Sequence, residues 1–253
     1  MPTSEARLSE RAAKDAEGEA QLACSGTQIS NGNGARIGPN SLIQTGQALS
    51  ALFGDETARM IFGQAGIGHR YVDPPGTMLN EREPQRLFAV LCDTLSDEDA
   101  TRVLAEAGRL TGRYLLANRI PKAARWLLPR LPSAIAARLL VRAISTHAWT
   151  FAGSGRFSGE VQDWRRPVIH LAIKANPLAT PGCPWHGAVF ERLFATLTAT
   201  QVQVLHPRCQ AKGNDYCEWT ITGATGSPRL TRMSRKAAAA RPDREDRPSQ
   251  ASR

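Results

Sequence analysis

Near residue 148 the spacing of apolar side chains changes from about one in every three or four positions to one in every two, so the chain must build two kinds of layer. Before that point the rhythm is helical. Leu42, Ile43, Leu49 and Leu52 predict a helix from about Ser41 to Phe53, and Ala58, Ile61 and Phe62 predict a second over Asp55 to Ala65. GQAGIGHRYVDPPG then carries too much Gly and Pro for either periodic structure and is expected to be a loop. Two further helices follow in EPQRLFAVLCDTL and SDEDATRVLAEAGRLTGRYLLANRI. The second opens at Ser96 with acidic residues in its first turn and carries Leu104, Ala107, Leu110 and Leu115 as an inward stripe. Pro121, Pro129 and Pro132 divide the next stretch into a short helix and a longer one, about Ser133 to Ala148.

Beyond residue 148 the text alternates. WTFAGSGRFSGEV and RRPVIHLAIKAN read as strands joined by a turn at Gln162 to Trp164, with Val168, His170 and Ala172 on one face of the second and Ile169, Leu171 and Ile173 on the other. A helix bearing Val189, Leu193, Phe194 and Leu197 comes next. TQVQVLHPRCQ and DYCEWTIT, joined by the turn KGND, complete a strand, strand, helix, strand, strand order. A hairpin at each end predicts an antiparallel sheet with helices against one face, the α+β class.

The two ends differ from this core. Residues 1–35 hold almost no large apolar side chains in their second half, and residues 224–253 carry eight Lys or Arg against three Asp or Glu, so both are expected to be disordered. The expected organisation is a leader over 1–35, a helical part over 36–148, a sheet part over 149–223 and a basic tail over 224–253. The tail supplies +5 of the chain's formal +9 and the leader −2. It lacks aromatic residues and no DNA-reading motif precedes it, so no nucleic-acid partner is expected. No apolar run reaches the roughly 18 residues needed to span a bilayer, and no secretory signal is visible, which predicts a cytoplasmic protein. Apolar tracts around Trp126 to Leu128 and Ile135 to Ile144, interrupted by Arg125, Arg130, Arg138 and Arg142, leave peripheral membrane contact open.

Five cysteines without an export signal favour thiols or a metal site over a disulfide framework. Cys183, His206, Cys209 and Cys217 follow the pattern Cys-x22-His-x2-Cys-x7-Cys. His206 and Cys209 leave one strand, Cys217 starts the next across a tight turn, and Cys183 precedes the helix. Thiolate and imidazole are the donors that zinc takes in a tetrahedron, and zinc–sulfur bonds of about 2.3 Å would bring the three sulfurs to within about 4 Å of one another. The same thiols would also serve as small apolar core residues.

The segment from about Ala148 to Thr222, with PGCPWHGAVFERLF, HPRC and KGNDYCEW, resembles the 4-vinyl reductase domain, a small ligand-binding domain also found as the aromatic-sensing module of some bacterial transcription activators. The resemblance implies helices packed on a twisted four-stranded antiparallel sheet. It also implies a structural zinc on Cys183, Cys209 and Cys217, with His206 where those sensors have a glutamate and His186 as an alternative fourth ligand. ARIGPNSLIQTGQAL, HRYVDPPGTMLNEREPQRLF and RRPVIH extend it toward the bacteriochlorophyll-biosynthesis branch, credited with reducing the 8-vinyl group of divinyl protochlorophyllide. By analogy a homodimer is implied as well.

A reductase needs an electron source, and neither GNGARIG nor GQAGIGHR fits a dinucleotide loop, so no nicotinamide or flavin site is recognised. Three readings follow: a carrier of a magnesium tetrapyrrole serving other bacteriochlorophyll-pathway enzymes, an autonomous reductase with a diffusible donor, or a small-aromatic-ligand sensor module. A flat macrocycle requires an apolar slot with a few polar anchors. The candidates are Trp149, Phe151 and Phe157 on the first strand, His170 on the second as a ligand to magnesium, and Arg165 or Arg166 for a carboxylate. Aromatics also fill cores and arginines also line solvated turns, so each has a purely structural alternative.

Overall fold

The computed structural model describes residues 34–223, so the expectations for most of the leader and for the basic tail lie outside the described residues. The helical part begins with a feature the apolar rhythm did not announce. Strand β1 (Arg36–Ile37) pairs antiparallel with β2 (Leu79–Asn80), a ladder of two residues per strand and too short to show any alternation. Between them, α1 (Asn40–Gln64) unites the two expected helices. The break between those helices survives as a kink at Gly54, whose φ of 83° suits a residue without a Cβ. The Gly-rich loop that follows contains one short helix, α2 (His69–Val72).

Helices α3 (Arg82–Thr94) and α4 (Asp97–Asn118) form as the periodicity predicts. The Ser96 hydroxyl caps α4 by accepting from the Asp99 amide, and Asp97, Glu98 and Asp99 oppose the positive end of the helix. Along its buried stripe α4 carries Gly108 and Gly112, four residues apart, against α8 (Pro184–Leu197). A Cβ on Gly108 would run into the Trp185 carbonyl oxygen, and one on Gly112 would lie 2.8 Å from Arg192 Cβ, so glycine at both positions permits the close approach. Prolines 121 and 132 stand just before α5 (Lys122–Leu127) and α6 (Ser133–Thr146), where a missing amide costs nothing.

The expected strand from Trp149 is corrected by the structure: Trp149–Ala152 is a helical turn, α7, and the strand starts only at Arg156. The aromatic run reads as a strand by local preference, but tertiary contacts override it. The Gly38 amide donates to the Thr150 carbonyl, and the buried Glu81 carboxylate accepts from the Ser154 amide and hydroxyl, clamping the turn onto the helical part.

Strands β3 (Arg156–Gln162), β4 (Val168–Lys174), β6 (Tyr216–Gly223) and β5 (Val202–Arg208) form an antiparallel sheet in that spatial order. Its inner face presents Ile169, Leu171, Ile173, Cys217, Trp219 and Ile221, all buried, with α6 against β3 and α8 against β5. The outer face presents the alternate residues. The fold is therefore α+β, helices on one side of a four-stranded antiparallel sheet, and no helix among the described residues is long and apolar enough to cross a membrane.

Candidate metal centre

Four ligand-bearing side chains meet where three chain segments turn. Cys183 caps α8 from a left-handed conformation (φ 43°, ψ 51°), held by its amide bond to the Thr180 carbonyl. His206 stands near the end of β5, Cys209 immediately beyond that strand, and Cys217 at the second position of β6. The tight turn between the last two is tied by the Asn214 side-chain oxygen, which accepts from the Cys209 amide at 2.9 Å. A register irregularity in β5 between Leu205 and Arg208 falls at His206 itself.

The geometry suits a tetrahedral ion. Cys183 Sγ lies 3.5 Å from Cys217 Sγ and 3.9 Å from Cys209 Sγ, and the donor atoms of all four residues lie within 4.8 Å of one another. Sulfurs bound to one zinc stand about 3.8 Å apart. The three cysteines are buried and His206 is half-buried. His206 Nδ1 is 2.7 Å from the Glu218 carbonyl oxygen, the position of an N–H donor. That tautomer leaves Nε2, which is buried and has no hydrogen-bond partner, with a free lone pair. Two amides support the sulfurs: the Gln210 N–H at 3.4 Å and the Asn176 Nδ2 at 3.5 Å both donate to Cys217 Sγ.

The electrostatics agree. The neighbouring Cys183 and Cys217 sulfurs hold the Cys209 pKa far below the ordinary thiol range, while the Cys183 thiol, partnered with Cys209 and Cys217, is pushed well up. A divalent cation would favour the thiolate form of all three sulfurs over the hydrogen-bonded, buried thiols that Cys183 and Cys217 otherwise keep. The cluster could hold a metal ion and its donor set is compatible with zinc.

His186, the alternative fourth ligand, is placed elsewhere. It is 1% exposed and packs on Trp185, Phe190 and Trp219, with neither ring nitrogen hydrogen-bonded, and burial pushes its pKa down to about 3. Trp219 also stacks on His206 at 4.8 Å, so one indole braces both imidazoles. The group that converges on the sulfurs is His206.

The six residues expected to line a pigment slot occupy four separate places. Phe151 and Phe157 meet edge-to-face at 5.4 Å and join Phe190 in an aromatic cluster on the inner side of the sheet. Trp149 is exposed on α7, and Arg165 and Arg166 are exposed in the β3–β4 turn, where the Arg165 amide donates to Asp163. His170 is on the outer face, 3.8 Å from Glu218 and 3.5 Å from the Thr220 hydroxyl. There it lines an open groove of about 610 Å³ with Arg156, Glu160, Lys174, Tyr216 and Glu218. Apart from His170, these lining residues were not singled out from sequence. Alternation marks each as outward-facing, but only the register brings Arg156 opposite Lys174 and Lys174 opposite Tyr216.

No protein-family model matches the chain. It is similar to the protein named bacteriochlorophyll synthase 23 kDa chain of Cereibacter sphaeroides, 42% identical over 195 residues that cover 74% of this chain and 90% of that protein. The protein of the same name from Rhodobacter capsulatus is 38% identical over 190 residues, 74% of this chain and 86% of the relative. Among solved structures, the Fe(II) unliganded H-NOX protein from K. algicida superposes with a TM-score of 0.53 at 13% identity, covering 75% of this chain and 98% of that one. A structure from work on heme distortion in the H-NOX family superposes with a TM-score of 0.50 at 10% identity, covering 76% and 97%. At these identities the likeness is one of fold.

Proposed function

The chain belongs to the family of the bacteriochlorophyll synthase 23 kDa chain and so to bacteriochlorophyll biosynthesis, and from that premise we propose that it binds a magnesium tetrapyrrole of the pathway. The substrate we assign is divinyl protochlorophyllide or a close relative. The protein's part is to hold the pigment while its 8-vinyl group is reduced, as a carrier serving a second enzyme that supplies the electrons. The observation that carries this reading is the match at 42% identity over 90% of a curated relative.

Carriage rather than unaided catalysis follows from the chemistry. Reducing a vinyl group takes two electrons and two protons, and a donor must be held close to the vinyl carbons. The GQAGIGHR stretch joins α1 to α2, helix to helix, whereas a dinucleotide loop leads from a strand into a helix. We assign zinc to Cys183, His206, Cys209 and Cys217. Four protein ligands leave no open position, so the ion's contribution is to staple α8 to the β5–β6 hairpin rather than to activate substrate.

The outer groove is the site we favour for the pigment. Its size falls in the usual range for small-molecule sites. His170 offers a nitrogen to the magnesium of the incoming ring, and Arg156 and Lys174 offer cations to a carboxylate on its rim. The test is an anaerobic titration of purified protein with divinyl protochlorophyllide, followed by addition of nicotinamide donors and assay for monovinyl product. Saturable pigment binding, weakened in His170→Ala and unaccompanied by turnover, is expected. Rapid conversion by the protein alone would overturn the carrier reading in favour of a reductase.

A further inference from the structure

Among the described residues, five of the nine large apolar side chains exposed at the surface lie between Trp126 and Trp164, the others being Leu52, Met60, Val72 and Leu205. The three exposed tryptophans, Trp126, Trp149 and Trp164, are each more than half exposed and fall within that one stretch of chain, together with Leu127 and Leu139 at 47%. The other two, Trp185 and Trp219, are buried. Most of that stretch is one-sided in charge: from Ala107 to Gly159 there are nine Lys or Arg and no Asp or Glu, and Glu160 and Asp163 come only just before Trp164.

The structure ties two of these tryptophans to arginines in or just before α6. That helix turns Ala134, Ala137, Val141 and Ile144 into the core and leaves Arg138, Leu139, Arg142 and Ala143 outside. Arg138 lies over the Trp164 ring at 5.0 Å, which draws the β3–β4 turn to the helix, and Arg130 lies over Trp126 at 4.3 Å just before the helix begins. Asp163, the acidic residue nearest Trp164 in sequence, has its carboxylate turned back onto the Arg165 amide.

We infer that this Trp- and Arg-bearing face docks on an anionic lipid bilayer. The observation is the set of exposed tryptophans and leucines interleaved with arginine, with no acidic residue from Ala107 to Gly159 and only Glu160 and Asp163 between there and Trp164. Indole and leucine side chains gain by entering the interfacial layer, and arginines beside them meet lipid phosphates. A second copy of the chain would set arginine against arginine. A nucleic acid would satisfy the arginines but leave Leu127 and Leu139 in water. A bilayer answers both halves of the surface, and it needs no spanning helix.

The test needs no pigment, so its failure is distinguishable from failure of the tetrapyrrole reading. The full chain is mixed with vesicles of phosphatidylglycerol or of phosphatidylcholine whose acyl chains carry bromine, and tryptophan fluorescence is followed. Quenching on the anionic vesicles and little on the zwitterionic ones is expected. Trp126→Phe with Trp164→Phe, both at exposed positions, should lower the quenching to what Trp149 alone gives while the fold, read by circular dichroism, is kept. Arg138→Ala with Arg142→Ala should weaken partitioning about 25-fold, each surface cation contributing about a five-fold factor. The basic tail is present in every variant, so its adsorption cancels from the comparison. Adsorption without quenching, quenching unchanged in the double tryptophan variant, or tighter binding to a DNA duplex than to the vesicles would each overturn the inference.

Discussion

His186→Leu should make the protein more resistant to acid. The native imidazole is 1% exposed among Trp185, Phe190 and Trp219 with neither nitrogen hydrogen-bonded, and its pKa is lowered from 6.5 to about 3, chiefly by burial. The sign follows from proton counting. Between pH 6.5 and pH 3 the unfolded chain binds a proton at this residue that the folded protein does not, so stability is intact above 6.5 and is lost as pH falls through that window. From pH 7 to pH 4.5 the loss from this one group is roughly 2.5 kcal/mol, or about 5–10 °C in Tm for a domain of this size. Leucine has a similar volume and no proton to bind. Urea or thermal unfolding of both proteins at the two pH values, with metal content matched, reads the difference. Zinc ligands protonate in the same range in both proteins and therefore cancel. Parallel acid losses in wild type and variant, or a His186 resonance titrating near 6.5 by NMR, would refute the reasoning.

Metal analysis should find about one zinc per chain, with Cys209→Ser, Cys217→Ser and His206→Ala each lowering it and destabilising the β5–β6 hairpin against α8, whereas His186→Leu should leave it unchanged. Metal-free protein with the same Tm as the loaded form would defeat that assignment. Gly108→Ala, whose new methyl would collide with the Trp185 carbonyl, should cost about 1–3 kcal/mol by forcing α4 and α8 apart. Gly63→Ala, also helical but with open space around it, should instead stabilise by up to about 1 kcal/mol. Equal effects from these two glycines in chemical denaturation would show that helix propensity, not helix contact, decides at position 108.

What is local in this protein was legible in its residues. The Ser96 cap, the prolines before α5 and α6, the break at Gly54 and the alternation in β4 each act within a few residues of themselves, so their pattern is written in the text. The candidate ligand cluster was legible for the same reason. His206, Cys209 and Cys217 sit around one tight turn, and a turn that short cannot separate them far.

Everything that depended on two distant segments meeting was decided by tertiary structure. The ladder of β1 with β2 has no periodicity to detect, and Trp149–Ala152 became helical because Gly38 and Glu81, from far upstream, bind that turn. Choosing His206 over His186 required knowing that α8 turns His186 into the aromatic core. The expected pigment slot shows the same limit. Phe157 and His170 lie on neighbouring strands, yet Phe157 pairs with Ile173 and His170 with Glu160, which sends the two side chains to opposite faces of the sheet. Alternation determines that a strand has two faces. The register, set by long-range pairing and by burial of one face against helices, decides which residues share one.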